Sequence, residues 1–413
     1  MKEMEFVALM ASLQALMSLS IDVMLPGLGV ISQDLGVADP NRRQLIVGVF
    51  LIATGVGSLF PGALGDRFGR RPVVLVAASG FVLFSFVCAF ARSFELLLVA
   101  RAISGLLTSA MMVMPMTILR DRFEGDRMAR TQSLVAMTFM IVPMLAPMLG
   151  QGVLMVASWR WIFGLMGALG ALVLGWAWLR LPETLHADHR QPILPRTIAG
   201  NMLLALKTRE SLGYFLGAAF VQAGLFGYIN SAQQLVGEHF AAGTLFPVIF
   251  GGMAMVMAST NFINSRIVEK FGARRVSHSA LLIYIAIASV HLYFAMRGEG
   301  LWTFIVLMTL TMCMMSFIGA NFQAISLQPF ARIAGAAASV MSFVRMVLAS
   351  ILGALIGQVY DGTARPILGA MVLFGSITLA FVLFSEHGRL FRRVNPPGFY
   401  KNAIPPTASK FSP

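Results

Sequence analysis

Gly62-Ala63-Leu64-Gly65-Asp66-Arg67-Phe68-Gly69-Arg70-Arg71 is a short charged block between two long apolar runs. A hydrocarbon core takes about 20 apolar residues per helix, and each flanking run is long enough to cross one. The block is then a tight loop at a membrane face. Its charges at Asp66, Arg67, Arg70 and Arg71 help to mark which face. The rest of the chain suits the same solvent. Of 413 residues, 57% are hydrophobic and 12% charged, where a soluble domain carries about a quarter charged.

Apolar runs fall at 6–30, 44–64, 73–91, 95–118, 132–157, 161–181, 212–236, 244–264, 277–296, 301–325, 334–359 and 366–385. We read them as twelve transmembrane helices, an all-α integral membrane fold with both termini on one side. Loops opposite the termini hold only Arg42, Arg43, Arg92, Arg160, Arg297 and Arg365 of the 31 Lys and Arg, while Arg101 and Arg345 lie inside runs. The excess on the other side places both termini in the cytoplasm. The same distribution accounts for the net charge of +13. A nucleic-acid partner would need a soluble basic surface, and these charges sit in short loops. Cys88 and Cys313 each lie inside an apolar run and read as small hydrophobes. No metal-ligand cluster, phosphate-binding loop or nucleophile–base pair is visible, so neither a cofactor nor an enzyme activity is expected. The N-terminus lacks a basic start and a cleavage site, and the first run reads as a retained span.

The longest internal polar stretch, 182–210, splits the runs six and six. The expected organisation is a bundle over 1–181, a cytoplasmic linker over 182–210, a second bundle over 211–385 and a proline-rich, disordered tail over 386–413. The opening block also has a partner. Ser265-Arg266-Ile267-Val268-Glu269-Lys270-Phe271-Gly272-Ala273-Arg274 overlays it without a gap. Asp66 meets Glu269, Phe68 meets Phe271, Gly69 meets Gly272 and Arg71 meets Arg274. Each copy follows the second run of its half. Six-span repeats about an axis along the membrane normal are a common transporter design, so duplication is the preferred reading.

Single residues then stand out. Asp22 is the one acid placed within a run rather than at its end, and an intramembrane carboxylate is a functional candidate by default. Pro26, one turn later, removes a backbone hydrogen bond and kinks the helix. Counting about 1.5 Å per residue, Arg101 in the fourth run sits at a similar depth to Asp22; it either shares a switchable pair with that acid or merely neutralises it. Pro143, Pro147 and Gly150 soften the fifth run. Trp159 and Trp161 suit an interfacial belt. In the second half Asn230, Gln233, Gln234, Asn261, Asn264, Asn321 and Gln323 are polar groups in apolar runs. Asn230, Gln233 and Asn321 are candidates to line a cavity, with interhelical hydrogen bonding as the alternative for each. Arg345 falls near mid-span with no acid at its depth, so it faces either the cavity or a helix end.

The block Gly62–Arg71 (G-x-L-x-D-R-x-G-R-R), Asp22-x-x-x-Pro26, Arg101-x-x-x-Gly105 and Ala146-Pro147-x-x-Gly150 together resemble the major facilitator superfamily. More narrowly they resemble its Bcr/CflA-type drug:proton antiporters. The resemblance implies two six-helix bundles around a central site. It assigns Gly62, Asp66, Arg67, Gly69, Arg70 and Arg71 to a gate motif that packs helix 2 against helix 11, with Asp66 paired to Arg70 and facing a helix N-terminus. It assigns Asp22 and Arg101 to proton coupling. The fifth-helix antiporter motif is partial, because Pro143 replaces a small residue and Gln151 a glycine. The implied activity is proton-driven export of small amphiphilic compounds, drugs included, by a monomer in the inner membrane. Its partners are a small-molecule substrate, protons and lipid. A metabolite exporter on the same fold is the alternative, and a non-transporting membrane sensor a more distant one. If Arg345 reaches a cavity shared with Asp22 and Arg101, the net positive charge suits neutral or anionic amphiphiles.

Overall fold

The computed structural model describes residues 1, 3–123, 135, 142, 143, 145–185, 200, 203, 204 and 207–392. In chain order its helices are α1 (Glu3–Asp22), α2 (Leu28–Asp34), α3 (Leu45–Gly57), α4 (Phe60–Phe68), α5 (Arg70–Ala89), α6 (Phe94–Arg122), α7 (Leu145–Val156), α8 (Arg160–Arg180), α9 (Arg209–Ala232), α10 (Phe246–Phe271), α11 (Ala273–Met296), α12 (Leu301–Leu327), α13 (Ala334–Gln358) and α14 (Arg365–Ser385). Among the described residues ten helices are long and apolar enough to cross a membrane. An eleventh is counted if Pro40–Gly57 and Phe60–Phe68, bent by 48°, form one span. The expected run at 132–157 lies partly outside the described residues and contributes α7. The expected linker at 182–210 and tail at 386–413 lie mostly outside them.

Large apolar side chains point outward all around the molecule. Val76, Leu83, Leu172, Leu179 and Trp302 are each more than half exposed. Water would penalise so much apolar surface, and lipid does not. Inside, small residues let helices close. A Cβ on Gly57 would stand 2.7 Å from the Leu106 carbonyl oxygen, and one on Gly105 would stand 2.5 Å from that of Phe50. These contacts pack α3 on α6, as small residues do where lipid gives no hydrophobic drive.

Two groups of helices result. In the first, α3 and α5 pack on α6, α5 on α8, and α1 on both α6 and α8. In the second, α9 packs on α12, α13 and α14, α11 on α12 and α14, and α10 on α12. The broadest contact between the groups is α3 against α13. One end of the molecule, here the terminal face, carries Glu5 paired to Arg180 and Arg274 paired to Glu386. The opposite, far face carries Asp34 paired to Arg160 and Arg43 paired to Glu238.

The two charged loops adopt one conformation. Gly69 lies at φ 105°, ψ 156° and Gly272 at φ 88°, ψ 146°, a region that favours glycine. The interval between the loops, 203 residues, recurs elsewhere. It carries Gly150 onto Gly353 and Val23 onto Phe226. A Cβ on Gly150 would strike the Val23 carbonyl oxygen, and one on Gly353 would stand 2.6 Å from Cβ of Phe226. The same interval carries Glu183 onto Glu386, and each carboxylate holds the start of a helix after a charged loop. Glu183 accepts the backbone N–H groups of Arg70 and Arg71, and Glu386 accepts from the Arg274 guanidinium.

Candidate functional site

The first span is broken at its candidate acid. α1 ends on Asp22, a turn of 3-10 helix runs over Leu25–Gly27, and α2 resumes at Leu28. Pro26 has no N–H for the carbonyl of Asp22, four residues back. The Gly27 N–H turns to the Met24 carbonyl instead of that of Val23. Two adjacent carbonyls, those of Asp22 and Val23, are thereby released from the helix. Gly150 of α7 packs directly on the second. The fifth-helix motif thus closes on the opened backbone beside Asp22, with Pro147 buried one turn away.

Asp22 is 5% exposed and accepts a 2.7 Å hydrogen bond from the Ser18 hydroxyl. Arg101 is 1% exposed, yet it does not pair with Asp22. Its guanidinium donates to the carbonyls of Ser20 and Ile46, at 3.0 and 3.2 Å, and lies 4.1 Å from the Phe50 ring centre. The expected ion pair is therefore absent here. The depth estimate brought Arg101 to the right level of α1 but not to the acid, because the Ser20 carbonyl and the α3 backbone satisfy its donors first.

The opening block forms a local ion cluster. Arg70 donates to Asp66 at 2.6 Å and to Asp121 of α6 at 2.9 Å. The acid that faces a helix N-terminus is Glu183, not Asp66. Its carboxylate caps α5, where an anion is favoured by both free N–H groups and the helix dipole. Arg71 donates to the Trp178 carbonyl at 2.7 Å, and Arg67 lies over the Phe68 ring. Gly62 makes no close approach, since a Cβ there would meet nothing within 4 Å. The expected packing of this end of helix 2 against helix 11 is not made at Gly62.

The two helix groups meet instead toward the far face. A Cβ on Gly48 would stand 3.2 Å from that of Ala354, and one on Gly55 would stand 3.1 Å from the backbone of Val347. Beyond them Arg43 donates to Glu238 at 2.6 Å, Gln44 bonds to Gln234, and the Asn41 amide donates to the Tyr360 carbonyl at 2.8 Å. Gln358 returns a bond to the Asn41 carbonyl. On the second group's side, Gln234 and Glu238 sit on wide π-type turns over Gln233–His239. Sequence reading treated Arg43 as a plain loop charge and passed over Gln44 and Glu238. Nothing local in the sequence links partners some 190 residues apart.

The polar residues of the second half separate. The Asn321 amide donates to Asn264 at 2.9 Å and is 4% exposed, so it ties α12 to α10. Asn230 is 1% exposed beside Gly357, at the seal. Gln233 lies near Gly29, also on the far side. Arg345 behaves differently. It donates to Gln222 of α9 and lines a recess with Phe215, Ala218, Gln323, Met341 and Ser342. Trp159 is 2% exposed and donates to Asp34 at 2.9 Å, so it is a buried tie and not a belt residue; Trp161 is 66% exposed.

A second ion cluster surrounds Glu386. The Phe391 N–H donates to His278 Nδ1, the other ring nitrogen lies 3.0 Å from the Tyr214 hydroxyl, and that hydroxyl donates to Glu386 at 2.6 Å. Burial works to raise the Glu386 carboxyl, but hydrogen bonds from Tyr214 and Arg274 outweigh it and hold the group below the usual carboxylate range. Sequence reading missed Glu183 and Glu386 as partners. Carrying the 203-residue interval beyond the loops would have found them.

Comparison with known proteins agrees over most of the chain. The family model for the Major Facilitator Superfamily matches residues 10–354. A bicyclomycin resistance protein homolog of Haemophilus influenzae is 28% identical over 381 residues, covering 91% of this chain and 96% of that protein. The multidrug resistance protein MdtL of Klebsiella pneumoniae is 29% identical over 370 residues, covering 88% and 91%. Among solved structures, a partially occluded inward-open form of the xylose transporter XylE from Escherichia coli superposes with a TM-score of 0.66 at 14% identity, covering 94% of this chain and 99% of that one. The human organic anion transporter MFSD10 gives 0.65 at 18% identity, covering 93% and 100%. At those identities the last two speak to the fold alone.

Proposed function

Because the chain belongs to the Major Facilitator Superfamily, we propose that it is a proton-coupled exporter of small amphiphilic compounds, drugs among them, in the inner membrane. The observation that carries this reading is the one-sided seal. The hydrogen bonds that join the helix groups, from Arg43, Gln44 and Asn41, gather at the far face, while Gly62 looks into open space at the terminal face. A seal between the bundles at the far face suits one end state of alternating access, in which one bundle rocks against the other. The loop arginines support a cytoplasmic terminal face, and in that reading this state takes up cargo from inside. The whole-length likeness to bicyclomycin and multidrug resistance proteins supports drugs as that cargo.

In this reading Asp22 carries the proton at the broken end of α1. Arg101 holds α1 and α3 together beside it, and pairs with the acid only in another state of the cycle. Asp66 and Arg70 belong to the gate, which closes when Gly62 meets the opposite bundle. The test is resistance in an efflux-deficient host, together with proton flux on drug addition in proteoliposomes. Wild type should confer resistance and move protons. Asp22→Asn, inserted at wild-type level, should lose proton-driven export by at least about tenfold, the lower end of what a positioned proton carrier contributes. Retained proton-driven export would reject the assignment.

A further inference from the structure

We propose that the recess beside Arg345 is the head-group subsite of the transport cavity, and that it selects compounds carrying one carboxylate on an apolar body. The proposal rests on the export reading above and names the substrate class of that same cavity.

Position comes first. Arg345 immediately precedes Met346 and Val347, the residues on which Gly55 of α3 packs. The recess therefore begins where the seal between the groups ends, on the terminal-face side. Cargo entering from the open end would reach this point last. In this state the recess holds about 20 Å³ of space, room for little more than one water, so it would seat the carboxylate oxygens alone and leave the apolar body outside it.

Chemistry comes next. Arg345 is the one charged side chain among those lining the recess. Its guanidinium donates to the Gln222 carbonyl oxygen, which engages only part of a five-donor group. No carboxylate stands within 4.0 Å of it among the described residues. A cation held inside a membrane span without a counterion is costly, so an anion brought by the cargo relieves that cost. The planar fork of guanidinium donors matches a carboxylate in bidentate fashion, which a lysine cannot do. Gln323 and Ser342 add donors at the rim. Phe215 and Met341 supply an apolar wall that continues into Phe330 and Val340.

Competition comes last. Asp22 is occupied by Ser18, and Arg101 by two carbonyls and the Phe50 ring. Neither reaches Arg345 or the recess lining. The 203-residue interval places Val142 opposite Arg345, so only the second half carries the device.

The experiment measures equilibrium binding of radiolabelled naphthalene-1-acetate, and of its neutral isostere naphthalene-1-acetamide, to the purified full-length protein. Wild type should bind the acid at least about tenfold more tightly than the amide, the ratio one charged hydrogen bond supports. Arg345→Gln should bring that ratio to about one. Arg345→Lys should keep part of it, since charge remains and the fork is lost. A wild-type ratio near one overturns the proposal without any variant. An undiminished ratio in Arg345→Gln that elutes like wild type overturns it as well. A protein that confers resistance yet shows no preference for the acid defeats the subsite alone. A protein that binds neither probe and confers no resistance defeats the export reading with it.

Discussion

Glu386 illustrates what one side chain contributes. It gathers Tyr214, Arg274 and, through Tyr214, His278 at the terminal face. Its carboxyl is held below its ordinary range, so the charged form is favoured by folding. That contribution is present above the ordinary glutamate value and is lost as the pH falls through the lower folded value. Glu386→Gln should therefore lower the melting temperature at pH 7 by the equivalent of about 1–3 kcal/mol. The gap between variant and wild type should narrow once the pH drops below about 4. Thermal scans across pH check this, and a gap that is constant or grows in acid contradicts the assignment. Asp22 and Arg101 show a different limit. Their rarity inside apolar runs was legible from composition alone, because ions are expensive there. Their partners were not legible, because Ser18, Ser20 and Ile46 supply them through helix geometry and through packing against α3.

At the scale of elements, two glycines separate packing from gating. Gly150 sits against the Val23 carbonyl, whereas Gly62 faces open space. Gly150→Val must push backbone against backbone and should cost about 1–3 kcal/mol or more. Gly62→Val should change stability by no more than about 0.5 kcal/mol, as surface substitutions generally do. If Gly62 belongs to the proposed gate it should nonetheless depress transport, because closure of the terminal face would use that space. Melting curves and efflux assays on both variants check this, and normal transport by Gly62→Val would remove Gly62 from the gate. The helix break at Leu25–Gly27 was legible from Pro26. That it opens on Asp22 and is filled by Gly150 depended on where α7 docks. The bend between α3 and α4 was not anticipated within the run read as 44–64.

At the scale of the whole molecule, the proposed cycle makes the state adopted a balance between two seals. Arg43, nearly buried, and Glu238, half exposed, form the one ion pair that joins the two groups among the described residues. Arg43→Gln should release about 1–2 kcal/mol from the far seal, roughly a five- to thirtyfold shift in population. Spin labels replacing the exposed residues Asp39 and Asp361, in a background lacking Cys88 and Cys313, should report a larger fraction at long distance. An unchanged distance distribution would mean that the tie does not set the balance.

Sequence alone determined the solvent, the helical class and the existence of two related loops. Apolar run length, loop charge and the Gly69/Gly272 match are local properties that survive without tertiary context. It also placed the rare intramembrane ions, since the cost of burying charge marks them wherever they fall. Tertiary structure decided the rest. It set which acid caps α5, which face is sealed, that Arg101 leaves Asp22 to Ser18, and that Arg345 opens onto a recess rather than a helix end. Each of those depends on contacts between residues far apart in the chain. The duplication shows the division most plainly. Gly150 and Gly353 keep close packing in both halves, and Glu183 and Glu386 each hold the first turn of the helix after a charged loop, the one through backbone N–H groups and the other through the Arg274 side chain. The charges at Asp22, Arg101 and Arg345 stand opposite Leu225, Phe304 and Val142. Packing must be repeated for two similar bundles to close, whereas the proposed proton site and head-group site would each be needed once in a single central cavity.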